Sequence, residues 1–188
     1  MKKKILISTG GSGGHVIPAL IFFKHLSKEF DVIMTTDIRG FSFFDKTIDK
    51  LKIINTPRLD NIFFLPFSLF LILFLTIKSF LYLKSEKIEK IISTGGYMSL
   101  PLILAGKFCR LKIYLFEPNL VLGRANKFFL NSCEKIFCYT DQIKNFPDRH
   151  KDKIILLNPL VREEFYINNY TSKKKDQFNL LIIGGSQG

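Results

Sequence analysis

Cysteine is scarce in this chain of 188 residues: there are three, Cys109, Cys133 and Cys138. An odd count excludes a framework in which every cysteine is paired, and the spacings match no zinc-ligand pattern. A reducing compartment is the expectation. Acidic side chains are also few. Sixteen Asp and Glu face 28 Lys and Arg, for a net charge of +12. They form no cluster that would hold a metal, so no metal is expected; no other cofactor is expected either. Met1-Lys2-Lys3-Lys4 imitates the basic start of a signal peptide, but Ile5-Leu6-Ile7 is far too short to complete one. The chain also lacks internal repeats and has little low-complexity sequence.

What is present is apolar and basic. Hydrophobic residues make up 47% of the chain, enough for a packed core. The positive charge points to anionic partners: nucleic acid, acidic lipid or a phosphorylated substrate. Abundant Lys, Ile, Phe and Asn are equally what an AT-rich coding bias produces. Basic residues are scattered rather than interleaved with exposed aromatics, so no nucleic-acid partner is expected.

Short apolar runs recur at Ile5–Ser8, Val32–Thr35, Ile53–Ile54, Ile91–Ser93, Ile113–Phe116, Ile136–Tyr139, Ile154–Leu157 and Leu180–Ile183. Most are continuous rather than alternating, as strands buried on both faces are. Helices are expected between them at Pro18–Ser27, Leu100–Cys109 and Gly123–Leu130, with Pro18 suited to a first turn. This alternation predicts an α/β fold, a Rossmann-like parallel sheet with flanking helices. Ligands then bind beyond the carboxyl ends of the strands. Residues 1–160 read as one domain and 161–177, with Lys173-Lys174-Lys175, as a linker. Residues 178–188 read as the first strand and glycine loop of a second domain.

Glycine loops follow three of the runs: Gly10-Gly11 with Gly13-Gly14, Gly95-Gly96, and Gly184-Gly185. A strand leading through glycines into a helix is an anion site, because the backbone approaches closely and first-turn N–H groups face the ligand. The alternative is a plain tight turn. Neither the P-loop nor the dinucleotide pattern is met, although Asp37 lies at the distance of a ribose contact. His15 stands where a general base could reach a hydroxyl near the anion, or where it merely bonds the loop. His25 and His150 read as surface residues. Tyr97 lines a cleft or packs. Glu117 and Asn119, at a strand end, suit sugar hydroxyls or a simple turn.

Taken in order, Gly10-Gly11-Ser12-Gly13-Gly14-His15-Val16-Ile17-Pro18, Gly95-Gly96-Tyr97, Glu117-Pro118-Asn119, Gly123-Arg124-Ala125-Asn126-Lys127, Asn158-Pro159 with Arg162, and Gly184-Gly185-Ser186-Gln187-Gly188 closely resemble the MurG family. This is a branch of glycosyltransferase family 28. The resemblance implies the N-terminal domain of a GT-B fold plus the first strand of its second domain. It implies an inverting, metal-independent transfer of GlcNAc from UDP-GlcNAc to lipid I, giving lipid II in peptidoglycan biosynthesis, and hence a part in cell shape and division. It places Ser12, Gly13, Gly14, Asn119, Arg162 and Ser186 at the donor. It places His15, Tyr97 and Glu117 at the acceptor, with Gly10, Gly11, Gly95 and Gly96 cradling the lipid pyrophosphate. His15 is the expected base and Glu117 its rival. The family usually has threonine at Ser12, His-Glu-Gln-Asn at Phe116–Asn119, and one residue fewer before Arg162. Most donor contacts in the family come from a C-terminal domain, so the 188-residue chain alone is expected to be inactive. Two rivals are a non-catalytic membrane subunit of a split transferase and a related lipid glycosyltransferase.

Ile62–Leu83 is an apolar stretch of bilayer-spanning length. A single crossing would put two glycine loops of one sheet on opposite sides of a membrane. An interfacial helix on an anionic surface is the favoured reading, with burial in the protein core or against the rest of a second domain as the alternative. The expected location is the cytoplasmic face of the bacterial inner membrane, peripherally bound.

Overall fold

The computed structural model describes residues 2–44, 48, 50–57, 62–162 and 180. Among them seven strands form one parallel sheet in the order β3-β2-β1-β4-β5-β6-β7. The strands are β1 Lys4–Ser8, β2 Asp31–Thr36, β3 Leu51–Ile53, β4 Lys90–Ser93, β5 Lys112–Glu117, β6 Lys135–Cys138 and β7 Ile154–Leu156. The helices are α1 Gly13–Leu26, α2 Ile38–Phe41, α3 Leu65–Ser85, α4 Ser99–Phe108 and α5 Arg124–Phe129. Each expected strand up to residue 157 is present within two residues at either end. All but the first residue of the strand expected at Leu180–Ile183, and all but the first two residues of the expected linker, lie outside the described residues.

The continuous apolar runs have a direct cause. In β1, Ile5 and Ile7 pack with Ala19 of α1 and with Val32, Met34 and Ile92. Leu6, between them, packs on the opposite face with Leu83 of α3 and Leu102 and Ala105 of α4. Both faces are covered, so neither parity of the strand can be polar.

Helix α1 begins five residues before the expected start. Ser12 is extended, and its carbonyl accepts from the His15 and Val16 N–H groups. Gly13, Gly14 and His15 therefore form the first turn. Pro18 falls in the second turn rather than the first, where it leaves the Gly14 carbonyl without its helical donor.

Helix α3 is built inside out. Its buried stripe is Ser68, Ile72, Thr76, Ser79 and Leu83, spaced by three or four residues, and it packs on α4. The small hydroxyl side chains permit that close approach, and Thr76 returns its hydrogen to the Ile72 carbonyl at 2.8 Å. The outer face carries Phe67, Phe70, Leu73, Phe74, Ile77 and Leu81, each at least half exposed. Only 22% of the most apolar 18-residue window is buried, so burial in this domain's core is overturned. A single bilayer crossing is incompatible with the pairing of β1, which precedes α3, with β4, which follows it.

Candidate functional site

The strand order turns back between β1 and β4. Their following loops therefore flank a crevice at the carboxyl edge of the sheet, where ligands bind in open α/β folds. A cleft of about 230 Å³ opens there and extends to the end of β5. His15, Gly95, Gly96, Tyr97, Glu117 and Asn119, widely separated in the chain, all line it, with Gly123–Asn126 completing the wall.

His15 comes from the first turn of α1 and is half-buried. Its Nδ1 lies 2.6 Å from the Thr94 carbonyl oxygen, in the loop after β4. The Thr94 hydroxyl donates to Thr9 Oγ1 at 2.8 Å, tying the same two loops together a second time. A carbonyl oxygen only accepts, so the His15 Nδ1 donates. In the neutral ring the lone pair is then on Nε2.

Glu117 ends β5 and is 2% exposed. Its Oε1 accepts from the backbone N–H of Asn119 at 3.2 Å and from Asn119 Nδ2 at 2.9 Å. Its Oε2 accepts from the Gly123 N–H at 2.7 Å and from Asn126 Nδ2 at 3.0 Å. Four donors occupy the carboxylate, which thus anchors the loop 118–126 rather than standing free to take a proton. Asn126 Nδ2 also donates to the Phe116 carbonyl, which fixes the orientation of the amide. Its Oδ1 is buried without a partner among the described residues.

The glycines answer first to the backbone. Gly10, at φ +153°, has no room for a Cβ, which would stand 2.6 Å from Asp37 Oδ1. Gly96, at φ +89°, is closed by Met98, whose side chain wedges between the two loops. Asp37 does not face a ribose-sized space. Its Oδ1 accepts from the Gly11 and Gly40 N–H groups, both at 2.8 Å, and its Oδ2 holds Arg39 in a fork at 3.0 and 2.9 Å. Burial works to raise the Asp37 carboxyl, but the two backbone donors and Arg39 outweigh it and hold it below its ordinary value.

Ser12, Gly13 and Gly14 do not line the cleft. They form the amino end of α1, exposed at Ser12 and Gly14, where the Ser12 hydroxyl makes no cap bond and the Gly13 and Gly14 amides have no intrahelical acceptor. Gly10 and Gly11 are not part of the lining either and lie against Met98. Arg162 is exposed and outside the lining; Ser186, Gly184 and Gly185 lie outside the described residues. His25 is exposed. His150, expected at the surface, is buried and bonded through Nε2 to Asn131 Oδ1 at 2.8 Å. Thr94 and Arg39 carried no signal in the sequence, since the one acts through its carbonyl and the other through a partner two residues away. Asn126 was visible only as part of a motif.

The glycosyltransferase family 28 N-terminal domain matches residues 5–138. A protein of Pelagibacter ubique (strain HTCC1062) is 53% identical over 189 residues, which cover 100% of this chain and 53% of that protein. It is named UDP-N-acetylglucosamine--N-acetylmuramyl-(pentapeptide) pyrophosphoryl-undecaprenol N-acetylglucosamine transferase. A protein of the same name from Rickettsia felis is 34% identical, covering 99% of this chain and 54% of that protein. The crystal structure of Acinetobacter baumannii MurG superposes with a TM-score of 0.73 at 24% identity, covering 99% of this chain and 53% of that one. The chain spans about half the length of the curated relatives it matches.

Proposed function

This chain belongs to glycosyltransferase family 28, and from that premise we propose that it is the acceptor-side half of a hexosyltransferase. The reaction carries N-acetylglucosamine from UDP-N-acetylglucosamine to the muramyl sugar of a lipid-linked pyrophosphate, as in peptidoglycan assembly. The observation that carries the reading is the hydrogen bond between His15 Nδ1 and the Thr94 carbonyl, because it leaves Nε2 as a base on a residue that lines the cleft.

In this reading a sugar hydroxyl of the acceptor gives its proton to His15 Nε2 as its oxygen attacks the anomeric carbon of the donor. The bond from that carbon to the diphosphate breaks, and UDP leaves with the electron pair. Attack opposite the leaving group inverts the configuration. Glu117 is a positioning residue, holding Asn119 and the loop 118–126 in place beside His15. The first-turn amides of Gly13 and Gly14, at the positive end of α1, suit diphosphate oxygens. Asn119 and Arg162 are assigned to the donor side.

The acceptor is a lipid, and the outer face of α3 supports a peripheral seat on the cytoplasmic leaflet. A helix with phenylalanine and leucine outward rests at the boundary between headgroups and acyl chains.

A chimera tests the catalytic reading. This chain would replace the matching half of the Pelagibacter ubique relative, and transfer of labelled N-acetylglucosamine to a short-chain lipid acceptor would be followed. We expect transfer, and a fall in kcat of about 10²–10⁴-fold on His15→Ala. A folded chimera that transfers nothing, or one in which His15→Ala keeps the full rate, would overturn the reading.

A further inference from the structure

The cleft beside His15 carries a cation that no group of the protein engages. Arg124, in the first turn of α5, lines it and is exposed. Among the described residues its guanidinium has no hydrogen bond, no ion pair and no aromatic ring beneath it. Glu117 is the one carboxylate among the described lining residues, and its four donors commit it to its own loop. The backbone that bears Arg124 is pinned on both sides. The Gly123 N–H and Asn126 Nδ2 both donate to Glu117 Oε2, at 2.7 and 3.0 Å. Upstream, the Leu122 N–H donates to the Lys144 carbonyl at 3.1 Å, and the Lys144 N–H to the Leu120 carbonyl at 2.8 Å. The helix gains nothing from the charge. A cation in the first turn opposes the dipole, and no acidic residue stands in that turn to offset it. A fixed segment thus presents an unpaired guanidinium at the wall of the cleft.

Two anions take part in the reaction proposed above, the diphosphate of the donor and the pyrophosphate of the acceptor. Gly13 and Gly14, assigned to the donor, lie outside the cleft. The acceptor's reacting hydroxyl is placed at His15, inside it, and the same sugar ring bears the pyrophosphate on its anomeric carbon. The peptide carboxylates of the acceptor hang on a chain that leads away from the ring. Two backbone donors of the glycine loops are already taken. The Gly11 N–H goes to Asp37 Oδ1 at 2.8 Å, and the Gly95 N–H to Ser93 Oγ at 3.2 Å. The pyrophosphate therefore needs another partner, and a guanidinium offers two parallel N–H groups to phosphoryl oxygens. We propose that Arg124 is a specificity-determining residue, which forks onto the pyrophosphate of the acceptor while His15 faces its hydroxyl. The proposal rests on the acceptor-side reading above.

The test titrates the full 188-residue chain, by calorimetry, with a water-soluble acceptor: a muramyl pentapeptide on a short isoprenyl pyrophosphate. Arg124→Gln should raise Kd about 10–100-fold, the loss of a charge-assisted pair. Arg124→Lys should recover part of that, because an ammonium keeps the charge without the fork. Lys127→Gln, exposed on the same helix and outside the lining, should change Kd less than about threefold. Two altered acceptors locate the anion. With an alkyl glycoside in place of the pyrophosphate, wild type and Arg124→Gln should bind alike. With the peptide carboxylates amidated, the full gap between them should remain. A gap that outlives the pyrophosphate, a gap that vanishes on amidation, or an Arg124→Gln chain with unchanged Kd would overturn the proposal and leave the acceptor-side reading standing. Wild type that binds none of the three acceptors would overturn that reading and the proposal with it. Urea unfolding of Arg124→Gln should match that of the wild type, since the side chain is exposed and unbonded. An easier unfolding would make Arg124 a structural residue instead.

Discussion

His15 and Thr94, 79 residues apart, meet at 2.6 Å through one ring nitrogen and one backbone oxygen. The contact exists because β1 and β4 are neighbours in the sheet, so the helix after one faces the loop after the other. It orients the ring without using a side chain to do so.

That dependence on backbone makes Gly95 a sensitive position. It has φ +93°, and a Cβ there would stand 3.3 Å from His15 Cε1. Gly95→Ala should displace the ring and lower turnover of the chimera about 10²-fold. Strain in the left-handed region should remove about 1–2 kcal/mol of stability. Steady-state kinetics and urea unfolding of the same variant separate the two effects.

Glu117→Gln distinguishes an anchor from a base. The new amide group would set N–H donors against the N–H groups of Asn119 or Gly123. Unfolding should become easier by about 1–3 kcal/mol, with acceptor KM rising alongside. Loss of kcat at unchanged stability and KM would mark Glu117 as the base instead.

Asp37 sets a pH dependence. Its folded carboxyl lies below the ordinary 3.8. The stability it contributes is therefore complete above the unfolded value and is lost as pH falls through the folded one. The difference in unfolding free energy between wild type and Asp37→Asn should be constant above about pH 5 and shrink below about pH 4. A difference that grows on acidification would contradict the assignment.

The two faces of α3 should respond in opposite ways. Ile72→Ala, on the buried stripe, should remove about 2–5 kcal/mol of stability. Phe70→Ser, at 67% exposure, should change stability by about 0.5 kcal/mol or less and weaken vesicle binding. Thermal unfolding paired with co-sedimentation reads both.

Thiol chemistry should be graded by depth. Burial, with help from the Glu117 charge, pushes the Cys138 thiol up to about 12, and burial also raises Cys133. Cys109 is raised too but is only half-buried. Ellman's reagent at mildly alkaline pH should titrate Cys109 alone in the native chain, and all three in denaturant.

Much of this was legible before folding. Ile5–Ile7, Ile91–Ile92 and Ile113–Phe116 announce strands covered on both faces, because a surface strand would alternate. The Gly-Gly pairs after β1 and β4 announce loops that only glycine can follow. The start of α1 was less legible. Ser12-Gly13-Gly14 have weak helix propensity, yet the Ser12 carbonyl closes the first turn by accepting from the His15 and Val16 N–H groups.

On its own the sequence determined the parallel α/β sheet, the loops at its carboxyl edge and the family, since these rest on local periodicity and on residues contiguous in the chain. The tertiary structure alone decided which groups meet and which are free. It turned Asp37 inward onto Gly11, engaged Glu117 with its own loop, and aimed His15 at a carbonyl that has no residue letter of its own. It also settled the two faces of α3. By composition the helix looks uniformly apolar, and a burial preference gives no reason to hide Ser68, Thr76 and Ser79. They are inside because a close helix contact needs small side chains, and that contact exists only once α4 is in place.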